Sequence, residues 1–271
     1  MTRSASCFAL ALLAGLLAAR ALPVPAPLRQ NVQRQLEHIQ AQAPKLGETM
    51  FLLREAGGSF LPEIVPSADT DAYQDMDRRR LMVGVYWMDL TYAATFRQVA
   101  PAARFGQAVS SLLDALGHPW PDLERRYRES LLQLDQPGGE DRLHELVRQL
   151  DSDTSWQELI RDVEGLELVV DALYGYLIEG LYLAAEIAVV SDFYPDYMRF
   201  VSDMRNAVLS FQDLLRQLEH EPELVDIIQG SERLRTITEL LELVGEAPDI
   251  GPDQVRDLRP AITKARNEIV H

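Results

Sequence analysis

Residues 156–190 constrain the fold more than any other part of the chain. Their centre, LELVVDALYGYLIEGLYLAAEIAVV, has no proline and an almost unbroken run of apolar residues. At about 100° per residue, Glu164, Glu167, Asp171, Glu179 and Glu186 share an arc of roughly 120°. Leu166, Val169, Val170, Leu173, Leu177, Leu181, Ala184 and Ala188 fill much of the remainder. A helix at a protein surface hides a narrower apolar stripe than this. The pattern predicts a central helix packed on most sides, with one acidic seam. The segment is long enough to span a bilayer, but each carboxylate at membrane depth costs about 2.5–3.5 kcal/mol. Several of them argue against a lipid-facing helix.

The N-terminal segment bears on compartment. Arg3 makes a small basic start, Cys7 to Ala18 is an apolar run, and Ala19-Arg20-Ala21 supplies a small-x-small pattern. Residues 1–21 are expected to be a signal peptide, cleaved before Leu22. The alternative is an uncleaved anchor, for which the apolar run is short. Cleavage leaves 24 basic residues against 42 acidic ones, moving the net charge from −16 to −18. It also removes Cys7, the only cysteine, and with it any disulfide or thiolate ligand. The expected product is exported, periplasmic or secreted, and not an integral membrane protein. So acidic a chain repels phosphate backbones, which counts against nucleic acid as a partner.

Residues 22–27 (LPVPAP) read as an extended, mobile spacer, and 28–271 as a single helical domain. Within it, 28–43 has helical spacing in Val32, Leu36 and Ile39; 47–56 is a short helix closed by Gly57-Gly58; and 59–70 is a loop holding Pro62 and Pro66. A long helix is expected from Thr70 to the break at Pro101, with the next from Pro101 to Leu116, closed by Gly117. His118-Pro119-Trp120-Pro121 reads as a turn, with amphipathic helices at 121–134 and 140–150. Asp153 or Thr154 is placed to cap the central helix, which should end near Asp192. Residues 196–219 carry Met198, Val201, Met204, Val208, Phe211 and Leu215 at core spacing, and three shorter helices follow. No segment alternates with a strand's two-residue period. The expected fold is all-α, packed helical hairpins around a central long helix.

A weak internal echo fits that architecture. GVYWMDLTYAATF (84–96) and GYLIEGLYLAAEI (175–187) share Gly, Leu and Ala-Ala at one offset, and each precedes a break and an amphipathic helix. A duplicated hairpin would explain both.

Asp89 is the leading candidate for chemistry. It is the only charged side chain in residues 81–96, with Tyr86 and Tyr92 three residues to either side. A buried carboxylate must find donors or stay protonated, because desolvation opposes the charged form. Asp89 is therefore either a shifted carboxylate in a binding or catalytic site, or a core acid satisfied by another helix's arginine or a free backbone donor. Glu179 and Tyr182, in YLIEGLY, are its counterparts on the central helix, and pairing of the two helices would let Glu179 face Asp89. Together Asp89, Tyr86, Tyr92, Glu179 and Tyr182 form the candidate binding set. Paired carboxylates allow glycoside hydrolysis or metal binding. The Glu-x-x-His pattern does not occur on two helices, as a di-metal centre requires, and no HExxH, GxSxG elbow or phosphate-binding glycine loop is present, so no metal, cofactor or catalytic residue is assigned. Asp77-Arg78-Arg79-Arg80 reads as a solvated basic face, an anion site, or a partner for the acidic seam.

PKLGETMFLLREAGGSF, GVYWMDLTYAATFRQ and YGYLIEGLYLA resemble successive landmarks of a family of exported, all-helical bacterial proteins, often lipoproteins, with no assigned activity. The resemblance spans residues 44–190 and implies export and a helical fold. It transfers no catalytic residue. The chain departs from the family in lacking a lipidated cysteine, and in Tyr174-Gly175-Tyr176 where a glycine pair and tryptophan are expected. The functional expectation is a non-enzymatic binding or interaction module of the cell envelope, its partner a small ligand or an envelope protein. A hydrolase using Asp89 and Glu179, and a structural envelope protein, are the alternatives.

Overall fold

The computed structural model describes residues 22–41, 50–55, 57–117, 156–221, 230–245 and 249–271, with isolated positions at 133, 136–138, 141–142, 145 and 224. Its principal helices are α1 (Ala26–Gln40), α2 (Met76–Thr95), α3 (Val99–Ala115), α4 (Val163–Val190), α5 (Pro195–Glu219), α6 (Gly230–Val244) and α7 (Pro252–Val270). A 3-10 turn at Pro62–Ile64 and a single α-turn at Trp156–Leu159 complete the order. No strand forms among the described residues, so the fold is all-α. The expected helices at 121–134 and 140–150, the turn at His118 and the caps at Asp153 and Thr154 lie outside the described residues.

Two helical hairpins, α2–α3 and α4–α5, make up the frame, with α2 and α4 sharing the broadest interface. They run parallel: Arg80 meets Asp171, Gly84 lies against Ala172 and Tyr176, and Met88 reaches Gly180, so both numbers climb together. Gly84 and Gly175 set how closely they approach. A Cβ on Gly84 would fall 2.6 Å from the Tyr176 nitrogen, and one on Gly175 would fall 3.0 Å from the Leu81 carbonyl carbon. Only hydrogen fits at either place.

Both hairpins turn in the same way. After α2, the Gln98 N–H donates to Ala93 O (2.8 Å) and the Arg97 N–H to Ala94 O (2.9 Å). After α4, Phe193 donates to Ala188 O (2.8 Å) and Asp192 to Val189 O (3.1 Å). Each is a Schellman closure with a non-glycine residue in the left-handed region, Arg97 at φ 56 and Asp192 at φ 54. Helix α7 packs on α4 and touches α2, α6 bridges α5 and α7, and α1 lies on α5.

Helix α4 is the one described helix long and apolar enough to cross a membrane, and most of it is buried inside the bundle. Leu166, Val170, Leu177, Leu181, Ala184 and Ala188 all lie in the core, as the helical wheel requires. The stretch 156–190 is not one helix, however. Trp156–Leu159 forms a separate turn, and Asp162 starts α4 by accepting the Gly165 N–H at 2.8 Å. Gly165 packs against the Leu159 backbone, which brings the short turn back onto the helix start.

Other boundaries also differ from the sequence reading: the break expected at Pro101 comes earlier, since α2 ends at Thr95 and α3 starts at Val99, which puts Pro101 in the first turn of α3. Helix α2 begins at Met76 rather than Thr70, because the Asp75 side chain accepts the Arg78 N–H (3.1 Å) and acts as N-cap. Helix α1 begins at Ala26, inside the stretch read as a spacer, with Pro25 at its N-cap. Residues 22–24 are extended but docked: Val24 N–H donates to Arg161 O (3.0 Å), Val163 N–H donates to Leu22 O (2.9 Å), and Val24 is buried.

Candidate functional site

The parallel packing of α2 and α4 brings Asp89 beside Glu179, both fully buried. The Arg266 guanidinium arrives from α7, where Nε donates to Glu179 Oε2 (2.8 Å) and Nη2 to Glu179 Oε1 (3.3 Å). No donor among the described residues reaches either Asp89 oxygen. Two adjoining carboxylates under those conditions would repel each other with one guanidinium between them. A proton on Asp89 removes the conflict, because the neutral acid donates to Glu179. Burial, and secondarily the Glu179 charge, hold the Asp89 carboxyl well above the usual carboxylate range. Burial also holds the Glu179 carboxyl above its usual range, against the pull of Arg266 and the Asp89 donor. The two-bond grip of Arg266 on Glu179, with none on Asp89, places the negative charge of the pair on Glu179.

The tyrosines predicted to flank Asp89 do not bond it. They hold the loop at residues 59–69, which crosses the same face of α2 as a strap. Tyr86 Oη donates to Ser67 O (2.8 Å) and lies 3.3 Å from Asp69 O; the Leu61 N–H donates to Tyr92 Oη (3.0 Å). The Phe60 ring packs on Tyr92 with centroids 5.0 Å apart. Burial pushes the Tyr92 phenol up to about 12 and Tyr86 further still, so both remain neutral hydroxyls. A third clasp comes from Arg266, whose Nη2 donates to Ile64 O at 3.3 Å. Tyr182 lies under that guanidinium, 4.5 Å from carbon to ring centre, so it touches the cluster through Arg266 and not through Asp89.

The strap is a ridge between two depressions. On the α3 side a cleft of 480 Å³ is lined mainly by Phe60, Pro62, Val65, Ala68, Pro101 and Phe105, with Asp69 and Arg104 as its charged groups. On the α7 side an open groove of 1010 Å³ runs past Glu63, Ile64, Tyr182, Glu186, Arg259 and Lys264. Neither depression is lined by Asp89 or Glu179.

Of the rest of the acidic seam, Glu164 is exposed, while Glu167, Asp171 and Glu186 meet arginines. Arg80 Nε donates to Asp171 Oδ2 (2.8 Å), Arg80 Nη2 meets Glu167 Oε1 (2.9 Å) and also Asp77, and Arg233 Nη1 donates to Asp171 Oδ1. Burial still lifts the Asp171 carboxyl above its ordinary value against the pull of both guanidiniums. Arg259 grips Glu186 with two bonds of 2.8 and 2.9 Å. Of the other basic residues at the start of α2, Arg78 reaches His271 O (3.1 Å) and Arg79 reaches Tyr73 O (2.8 Å). No group of three or more His, Cys, Asp and Glu side chains gathers as a metal site would among the described residues.

Arg266 and Arg233 are the site residues that the central stretch alone does not reveal. Each has a signal in its own helix. Arg266 lies among the core positions Leu258, Ile262 and Ile269 of α7, and Arg233 begins the buried series Ile237, Leu240 and Val244 of α6. A cation on an apolar face needs a buried acid opposite, and α4 supplies one in each case.

Comparison with known proteins adds nothing to this geometry. No family model matches the chain, and none of the curated proteins or solved structures matches it.

Proposed function

We propose that the protein is an exported, non-enzymatic binding or interaction module of the cell envelope, taking a small, largely apolar ligand in the cleft between the strap and α3. The observation that carries this reading is the contrast between a sealed acid pair and an open cleft beside it. A 480 Å³ space walled by prolines and phenylalanines, with Asp69 and Arg104 as polar groups, has the size and lining of ordinary ligand sites. The residue 1–21 pattern and the family resemblance support export. A thermal-shift screen of small apolar acids and amines tests the reading, with Ala68→Trp as the variant that fills the cleft. Ligands that raise Tm in the wild type and lose the effect in the variant are the expected result. A screen without ligands, or ligands indifferent to the tryptophan, would overturn it.

One observation favours a second reading, a hydrolase using Asp89 and Glu179. A carboxylic acid and a carboxylate do lie side by side, as acid–base catalysis requires. It stands second because substrate must first get beneath the strap. Chromogenic glycosides are the direct probe: turnover abolished by both Asp89→Asn and Glu179→Gln would reverse the order, and no turnover would remove it.

A further inference from the structure

The strap and the acid pair share their fastenings. Tyr86, Asp89 and Tyr92 are spaced at i, i+3 and i+6, so one face of α2 carries two strap-holding hydroxyls with the acid between them. Arg266 occupies the third corner. Its inner side is bonded to Glu179 and its Nη2 also reaches outward to Ile64 O, a strap carbonyl. Asp89 is thus enclosed by the residues that keep the loop shut, and neither of its oxygens has a donor.

We propose that the strap at residues 59–69 is a proton-controlled cover, closed while Asp89 carries its proton and released when that proton leaves. Ionised, Asp89 becomes a second buried negative charge against Glu179. Two reliefs are open to it. It can draw Arg266 away from Ile64 O, or it can gain water, which enters only where the strap lifts from Tyr92 and Tyr86. Both loosen the same loop. The charged and titratable groups that face Asp89 are few among the described residues: Glu179 from α4, Arg266 from α7, and its own neighbours Tyr86 and Tyr92. Glu63 of the strap acts on Tyr92, and α5 contributes Tyr197 to the same ring. Among the described residues no second cation is placed to neutralise the acid.

The device stands whatever the neighbouring cleft binds. Because the closed form holds one proton more than the open form, the population of the open form should grow about tenfold per pH unit, from the ordinary carboxyl range up to the raised value of Asp89.

Amide exchange followed by NMR on the whole protein between about pH 5 and pH 8 reads this directly. The Leu61 N–H, bonded to Tyr92, reports the strap, and the Leu181 N–H, deep in α4, reports global unfolding. After correction for intrinsic exchange, wild-type Leu61 protection is expected to fall about tenfold per pH unit and to be flat in Asp89→Asn, whose amide mimics the protonated acid. Equal slopes in the two proteins would overturn the proposal, as would Leu61 protection no weaker than that of Leu181, since the strap would then open only with the whole fold. A second measurement needs no variant. The Asp89 carboxyl carbon should titrate above the usual carboxylate range, and a midpoint near 4 would overturn the proposal equally.

Discussion

Gly84 of α2 and Gly175 of α4 are equivalent across the helix pair: Gly84 lies on the backbone of Ala172, and Gly175 on the backbone of Leu81. The two contacts exchange under a constant offset of 91 residues, since 175 − 84 and 172 − 81 agree. The sequence echo is thus a pseudo-two-fold between the two hairpins, and it runs along the parallel helices. Arg80 and Asp171 differ by the same 91 and pair directly. Asp89–Glu179 has Met88–Gly180 as its symmetry mate, so the acid pair sits where the likeness is broken.

That geometry ranks three substitutions. Gly84→Ala and Gly175→Ala each press a methyl group into helix backbone, which cannot yield locally, and each should destabilise by about 2 kcal/mol or more despite alanine's better helix propensity. The double variant should cost clearly less than the sum, because one separation of α2 from α4 relieves both clashes. Gly180→Ala meets only flexible methionine ends, with Met88 Cε at 2.5 Å, and should cost less than about 1 kcal/mol. Urea unfolding of the four variants checks the order; equal losses at all three sites would refute the close-packing account.

Asp171 anchors two arginines from two different helices. Asp171→Asn leaves Arg80 with Glu167 and Asp77 but takes from Arg233 the carboxylate it bonds, at a wholly buried position. A loss of about 3–5 kcal/mol is expected, the usual result of stranding a buried charge. The exposed pair Arg256–Asp253 is the control, and Asp253→Asn should change stability by less than about 0.5 kcal/mol. Similar small losses at both sites, measured by thermal or urea unfolding, would mean that Arg233 finds another partner.

The legible parts of the sequence were those decided by period. Continuous apolar spacing marked α4 as central, Pro101 and Pro195 marked the two hairpin turns to within a few residues, and a lone acid in apolar surroundings marked Asp89. Local sequence carried less about what satisfies a buried charge, since the answers lie 87 residues away for Glu179 with Arg266 and 62 for Asp171 with Arg233. The roles of Tyr86 and Tyr92 illustrate the limit. Their spacing placed them beside Asp89 correctly, yet a phenol also reaches whatever crosses its helix, and here that is the backbone of the strap. The break at residues 160–162 was hidden because apolar periodicity runs through it, while Asp162 and Gly165 together make a cap.

Glu179 and Asp89 should substitute for one another in holding Arg266. In Glu179→Gln the guanidinium keeps Asp89 within its field, and Asp89, freed of a charged neighbour, can ionise and take over the pair. Each single amide variant should therefore be tolerated better than an ordinary loss of a buried ion pair. The double variant leaves Arg266 with no carboxylate and should lose about 3–5 kcal/mol. A double-mutant cycle measures the coupling, and additive effects would show that the two acids are independent.

The pH dependence of global stability carries a definite sign. Asp89 has its folded value raised above the unfolded one, so its contribution is complete below the unfolded value and is lost as pH rises through the folded value. The net charge of −16 acts in the same direction, because added negative charge strains a compact acidic chain. The protein should thus be more stable near pH 5 than near pH 8, by up to about 1.4 kcal/mol for each pH unit that Asp89 spans in that window. Asp89→Asn separates the two causes. It cannot lose a proton, so its margin over the wild type should widen from about pH 5 to pH 8, leaving in the variant only the shallow slope of general repulsion. Urea midpoints at the two pH values decide the matter. A variant less stable than the wild type at the higher pH would mean that Asp89 is ionised in the folded protein and that its partner is a cation, with Arg266 the one in reach.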